Sequence, residues 1–513
     1  MVRVWHLETL VYLVLMVLNL VSGILDTSSL ETITQWKLIS YNFPPKSPTT
    51  DQNFYSPENI LITGLAVGYD RIFVATPQLF RGVTAAVSSI PKVGAGDNPV
   101  LEVFPDWSYA VAGRQDFNCS DLKLISVYRM KIDSCNRLWA LDAGISRSLE
   151  DYEVTCPPKI LVFDLNTNRV VRRIDFPRQV LRGESLFTNL IVDETTSKPG
   201  NCDDVFVYIS DTVEPAIVVY DSKQDVTWRV SHPSMYPDPD FAQSEILGDR
   251  FVLMDGVVGL TFDQKSGIIY YQPLATDRVF SVTREVLRSG PIALNQLLPV
   301  KLVGKKSSQG ITLAVSPIDG SLLFSPLTET AVASWNPSTG RQQTLATDQQ
   351  RLQFVADLAT PLTESGVLYM VSSKFQRFFL KNLNRNEYNN RILRINIGRS
   401  SPTPLIPATK PSNYAYYSTN TIDKRPVSSF ASTVSSGNFF TSPNLSPFGY
   451  ESVSLFPKSS RNPFTALNPS EALATKLTRQ PAERSFLDNL PPTGYHYNRF
   501  SRSIAEEKNA MIN

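Results

Sequence analysis

Residues Leu124 to Pro177 read LISVYRMKID-SCN-RLWALDAG and then, past a loop, PKILVFDL-NTN-RVVRRIDFP. These are four runs of apolar, β-branched and aromatic residues separated by short polar turns, the pattern of an antiparallel four-stranded meander. The unit recurs immediately: Ser185 to His232 contains FTNLIVDE, VFVYISDT, AIVVYD and TWRVSH. A meander repeated roughly every 40 to 55 residues cannot bury its apolar face alone, so its copies must stack around an axis. The spacing predicts an all-β fold, a β-propeller.

Four further repeats extend the pattern. Asn59 to Pro105 carries ILITGLAV, RIFVAT, AAVSSI and LEVFPD; Gly256 to about Val303 carries GLTFD, GIIYYQPLA and VFSVTREVL. Gly310 to Thr347 carries ITLAVS, LLFSPL, AVASWN and QQTLAT, and Arg351 to Ile397 carries FVADLAT, VLYMVSS and RILRINI. The last repeat has three clear strands, whereas ITQWKLISYNF (Ile33 to Phe43) is a strand without a blade. Joining the two gives a six-bladed propeller over residues 33–399, closed by an N-terminal strand that removes exposed sheet edges.

Cysteine placement follows from this register. Cys135 and Cys202 occupy the turn between strands one and two of successive repeats, while Cys119 and Cys156 precede strands one and three on the opposite rim. Residues at opposite ends of a strand lie about 20 Å apart, beyond the span of a disulfide. The expected pairs are therefore Cys119–Cys156 within a blade and Cys135–Cys202 between blades.

The flanks differ in kind. Arg3 and His6 precede an apolar run from Leu10 to Val21 and then Ser22-Gly23. This is the pattern of a secretory signal peptide over residues 1–23; a spanning helix would need about 20 apolar residues. Four cysteines suit the oxidising compartment this implies. Two sequons, at Asn118 and Asn444, are candidate N-glycosylation sites. Residues 400–513 alternate serine, proline, asparagine and aromatic residues without period, so a mostly disordered tail is expected. Its tyrosines could be cross-linked in an extracellular matrix, or the tail could simply be solvated.

Lys plus Arg (49) balances Asp plus Glu (48), which gives no field for nucleic acid or an anionic membrane. Of three histidines only His232 lies in the propeller, which excludes a multi-histidine zinc or copper site there. No nucleophile elbow or phosphate-cradling loop is present, and neither a metal nor an organic cofactor is expected. Loops after strand two converge on the rim opposite Cys135, where propellers take ligands. They offer Asp142 and Asp211 at equivalent strand ends, either to clamp a cation or relay protons, or to cap their own loops.

KIDSCNRLWALDAG and CPPKILVFDLNTNRVVRRIDFP resemble the insect yellow and major royal jelly protein family, as do FPDWS (104–108), NCDDVFVYISD (201–211), YPDPDF (236–241) and YYQPLATDRVFSVTREVLR (270–288). The resemblance runs from about Trp36 to Ile397 and excludes the tail. It implies a secreted six-bladed propeller tied to melanin pigmentation and cuticle, binding a small aromatic amine or quinone of catecholamine or indole type, or else a dopachrome-converting isomerase. By the same resemblance Phe375 corresponds to an aromatic that stacks on the amine in carrier-type relatives, with plain core packing the alternative; Ser373 stands where those carriers tend to have asparagine.

Overall fold

The computed structural model describes residues 30–398, apart from 112–116 and 294, together with 403–404. The expected signal peptide, the Asn444 sequon and nearly all of residues 400–513 lie outside the described residues.

Six four-stranded antiparallel meanders form the body. Blade one is Gly64–Val67, Arg71–Ala75, Val87–Pro91 and Glu102–Val103; blade two is Val127–Ile132, Arg137–Asp142, Lys159–Asp164 and Arg169–Asp175. Blade three is Phe187–Asp193, Phe206–Asp211, Ala216–Asp221 and Val226–Val230. Blade four is Val257–Asp263, Ile268–Pro273, Arg278–Thr283 and Lys301–Lys305. Blade five is Leu313–Val315, Leu322–Phe324, Ala331–Trp335 and Gln342–Thr347, and its outer edge gains a fifth strand, Thr403–Pro404. Blade six is Phe354–Ala359, Val367–Ser373 and Asn390–Asn396, completed by Glu31–Trp36.

The middle strands are apolar on both faces because each blade is sandwiched. Along Arg137–Asp142, Trp139 and Leu141 pack toward blade three, whereas Leu138 and Ala140 pack toward blade one. Strand alternation sends consecutive side chains to opposite faces, so one strand feeds two inter-blade cores. Outer strands alternate instead; Arg169–Asp175 buries only Ile174 fully.

Closure pairs Glu31 with Arg394 and Trp36 with Asn390, antiparallel. Trp36 is fully buried and donates its indole N–H to Pro99 O at 2.7 Å. The pairing strand begins at Glu31 and ends at Trp36, short of Phe43. Beyond it the chain crosses to blade one, where Tyr41 bridges Leu101 and Asn42 N–H donates to Leu101 O at 2.9 Å. The segment thus clasps the last blade to the first.

Both disulfides follow the rims: Cys119–Cys156 with Cα atoms 5.5 Å apart and Cys135–Cys202 at 6.2 Å. Two features depart from the sequence reading. TREVLR is a strand end followed by a short helix, Arg284–Arg288, which Thr283 caps from its hydroxyl. A hairpin, Gln243–Ile246 with Asp249–Val252, is inserted between blades three and four. Its tip uses left-handed backbone at Leu247 and Gly248, the geometry of a two-residue hairpin turn.

Candidate functional site

The innermost strands of all six blades surround one cavity on the rim opposite the Cys135 turn. Its volume is ≈ 80 Å³. Blade one contributes Leu61 and Thr63, blade two Tyr128 and Arg129, blade three Leu186 and Thr188, and blades four to six Val258, Ile311, Phe354 and Ala356.

Local backbone irregularities aim these residues. Register shifts fall between Val127 and Met130, between Phe187 and Asn189, between Val257 and Gly259, and between Val355 and Asp357. Each shift brackets a cavity residue: Tyr128 with Arg129, Thr188, Val258 and Ala356. A bulge adds one residue to a strand and turns its side chain out of the pleat, here toward the axis.

Arg129 closes the floor. It is almost wholly buried, with Nε 3.2 Å from Asp357 Oδ1; NH1 donates to Thr63 O at 2.6 Å, and NH2 donates to Ala356 O. Asp357 in turn accepts from the backbone of Leu65 at 3.0 Å. A buried guanidinium thus ties blades one, two and six together. Burial lowers its pKa and Asp357 opposes that shift.

The wall carries hydroxyls. Tyr128 Oη lies 2.8 Å from Ser148 Oγ, and Thr188 Oγ1 lies 2.5 Å from Thr212 Oγ1. Burial pushes the Tyr128 phenol well above its usual range; the Ser148 bond draws it partly back, and the charge of Asp255 adds to the rise. Asp255 reaches the cavity with Leu253 from the connection carrying the inserted hairpin. That hairpin is held by Phe251 against Phe375 and Phe379, by Asp249 3.1 Å from Arg377, and by Gln309 Nε2 donating to Gln243 O at 2.7 Å.

Of the four residues read from sequence as ligand-binding, one lines this cavity. Phe375 does, and it also stacks on Phe354 with centroids 4.5 Å apart, so its ring is at once wall and core. Asp142 is fully buried: it accepts from the backbone N–H groups of Ile125, Ser126 and Gly144 and pairs with Lys159 Nζ at 2.8 Å. Asp211 accepts from Leu186 and Glu214 N–H groups and pairs with Arg229 at 2.8 Å. Neither carboxylate is among the cavity residues, and loop capping describes what both do. Ser373 is buried away from the cavity lining, and its hydroxyl lacks a partner among the described residues.

His232 caps the turn Pro233–Met235, accepting from Ser234 N–H at Nδ1, and burial lowers its pKa. Asn118 is exposed, its side-chain oxygen accepting from Ser120 N–H at 2.9 Å. A grouping of Asp133, Glu194 and Cys202 has metal-like spacing, but Cys202 is spent in a disulfide.

Sequence reasoning missed Arg129 and Asp255. The available signal was a lone charge inside an apolar run, Arg129 in SVYRM and Asp255 in FVLMDGVVGL. Such a charge is costly to bury unless it is paired or used.

The chain is similar to several insect proteins. Over 393 residues the chain is 27% identical to "Dopaminechrome tautomerase" of Drosophila melanogaster, covering 72% of this chain and 83% of the relative. It is 25% identical to "Major royal jelly protein 1" of Apis mellifera, covering 74% and 90%, and 27% identical to "Protein yellow" of Drosophila yakuba, covering 74% and 71%. A solved chain, from "Crystal structure of Nidogen/Laminin Complex", overlays at TM-score 0.32 and 13% identity over 56% of this chain and 81% of its own, too slight a likeness to bear on function. The family model described as "Major royal jelly protein" matches residues 125–403, more than half of the sequence, and the chain belongs to that family.

Proposed function

We propose that this chain is a secreted protein of cuticle and melanin pigmentation that takes a small catecholamine- or indole-type ligand in the axial cavity. The observation that carries this reading is the cavity itself: the Phe375 ring and aliphatic side chains beside a carboxylate, Asp255, and several hydroxyls. Apolar walls with a few convergent polar groups suit a flat aromatic body bearing an amine or hydroxyl. Secretion is supported by the apolar leader, two disulfides and family membership. Asn118 is the proposed glycan site, and cuticle or extracellular matrix the proposed surroundings.

A second reading, dopachrome-type isomerisation, is favoured by Asp255 beside Tyr128 and by the relative named for dopaminechrome tautomerisation. Such a step moves one proton from a ring carbon to a heteroatom of an already oxidised ligand, without net redox change. Asp255 would take the proton and Tyr128, which keeps its own at neutral pH, would hydrogen-bond the acceptor oxygen.

Calorimetric titration with dopamine and 5-hydroxyindole tests the first reading; no heat with either refutes it. Loss of the dopaminechrome chromophore tests the second. Acceleration that disappears in Asp255→Asn supports the isomerase, and a rate equal to buffer refutes it.

A further inference from the structure

We infer that the cavity is complementary to hydrogen-bond donors, so that it takes the reduced, O–H- and N–H-bearing form of an aromatic ligand in preference to its oxidised quinone. This rests on the cavity reading above and adds which redox form the site recognises.

Hydroxyl protons can be followed one by one. Thr212 Oγ1 donates to Val257 O at 2.9 Å, and a carbonyl can only accept. Its single proton is therefore spent, and in the 2.5 Å contact with Thr188 it must accept. Thr188 then has no proton left, so in its 3.2 Å contact with Ser210 Oγ it also accepts. Thr63 spends its proton on Tyr128 O at 3.1 Å. Tyr128 and Ser148 share one bond, which leaves a single proton between them.

The other polar groups lean the same way. Arg129 turns its guanidinium on the carbonyls of Thr63, Tyr128 and Ala356 and on the Asp357 carboxylate. Thr63, Thr188 and Thr212 all present acceptors, against the one hydroxyl proton of the Tyr128–Ser148 pair.

A quinone brings carbonyl oxygens, which are acceptors, and would set lone pairs against lone pairs. A dihydroxyindole or hydroxyindole brings O–H and N–H groups that satisfy them. A buried site discriminates against an analogue that leaves its polar groups unpaired far more strongly than against one lacking a methylene. Under the isomerase reading the hydroxyl-bearing tautomer formed would be held more tightly than the carbonyl-bearing substrate, and product inhibition would follow.

Two stable probes of similar size test this by calorimetric or fluorescence titration of the whole secreted chain. 5-Hydroxyindole carries two donors, whereas N-methylisatin carries two carbonyls and no donor. Expected is at least tenfold tighter binding of 5-hydroxyindole. A smaller ratio, or the reverse order, overturns donor selection while leaving the cavity reading intact. Binding of neither probe removes both. The Thr63→Val variant keeps the side-chain shape and deletes one acceptor, while Tyr128 O keeps its bond from Arg129 NH1. It should weaken 5-hydroxyindole about tenfold, as for one lost hydrogen bond, and leave N-methylisatin unchanged; equal weakening of both probes, which a packing defect would give, also overturns the inference.

Discussion

Asp142 and Lys159 form an ion pair whose two deletions should cost unequal amounts. Both side chains are almost wholly buried and 2.8 Å apart. The carboxylate additionally accepts three backbone N–H groups, whereas Lys159 has Asp142 as its charged partner. In Asp142→Asn the cap is damaged and a buried ammonium is left unpaired, a loss of about 3–5 kcal/mol for a broken buried pair. Lys159→Met leaves a carboxylate still held by three donors and should cost less than half as much. With about 365 described residues and about 2.1 cal/mol/K of unfolding entropy per residue, 4 kcal/mol corresponds to a fall in Tm of about 5 °C. Thermal unfolding of the two variants beside the parent measures both shifts, and ligand titration of folded Asp142→Asn should give the parental affinity. A Tm fall of less than about 1 °C for Asp142→Asn, or a larger fall for Lys159→Met, would refute the capping argument; a loss of affinity without loss of stability would restore Asp142 to the binding site.

Deleting Ile33 to Phe43 removes most of the closing strand and the clasp to blade one, so the product should be expanded or insoluble by size exclusion; a soluble, compact truncation would count against closure by this strand. Lys306 gives a pH signature. Burial draws its ammonium down to about 7, opposed by Asp277, while an unfolded lysine holds its proton to about 10.4. Between those values the unfolded chain binds the extra proton, so this group's contribution to stability rises with pH across that window and its full cost is felt below pH 7. Lys306→Met should therefore raise Tm more at pH 6.5 than at pH 9.5, and equal gains at both would show that no titration is involved.

The scaffold was legible because blades are sandwiched: strands such as KILVFD, apolar on both faces, and outer strands such as RVVRRID follow from burial alone. The meander period located four of the blades strand by strand. In blade four the strand KLVGK went unread because Lys301 and Leu302 are exposed on an outer edge, where no apolar alternation is required. The inserted hairpin was hidden for a related reason. Its residues pack on Phe375, Phe379 and Gln309, contacts more than 50 residues distant in sequence, and its strands are only half-buried. Phe375 was reached by resemblance; its stacking on Phe354 depends on blade register and could not be read from spacing.

That Asp142 and Asp211 lie outside the cavity lining has a single physical origin. Strand-end carboxylates such as Asp142 and Asp211 stand where each blade must satisfy the N–H groups of a tight rim loop, and the fold claims them before any ligand can. Groups that face the cavity lie where the ladder is already broken. In this propeller those places are the bulges of the innermost strands, which give up regular pairing and point Tyr128, Arg129 and Thr188 at the axis, and the long connection after blade three, which delivers Asp255. Because backbone pairing rather than a side chain opens each position, a cavity residue that carries no inter-blade ion pair can change at less cost to the sheets behind it than the rim aspartates; Arg129, which ties three blades, cannot. It follows that Thr63→Val should alter ligand preference with a smaller fall in Tm than Asp211→Asn, which takes from the part-buried Arg229 guanidinium the carboxylate 2.8 Å away. A cavity substitution that melted the fold as readily as Asp211→Asn would show that the bulges are structural joints and not openings for a ligand.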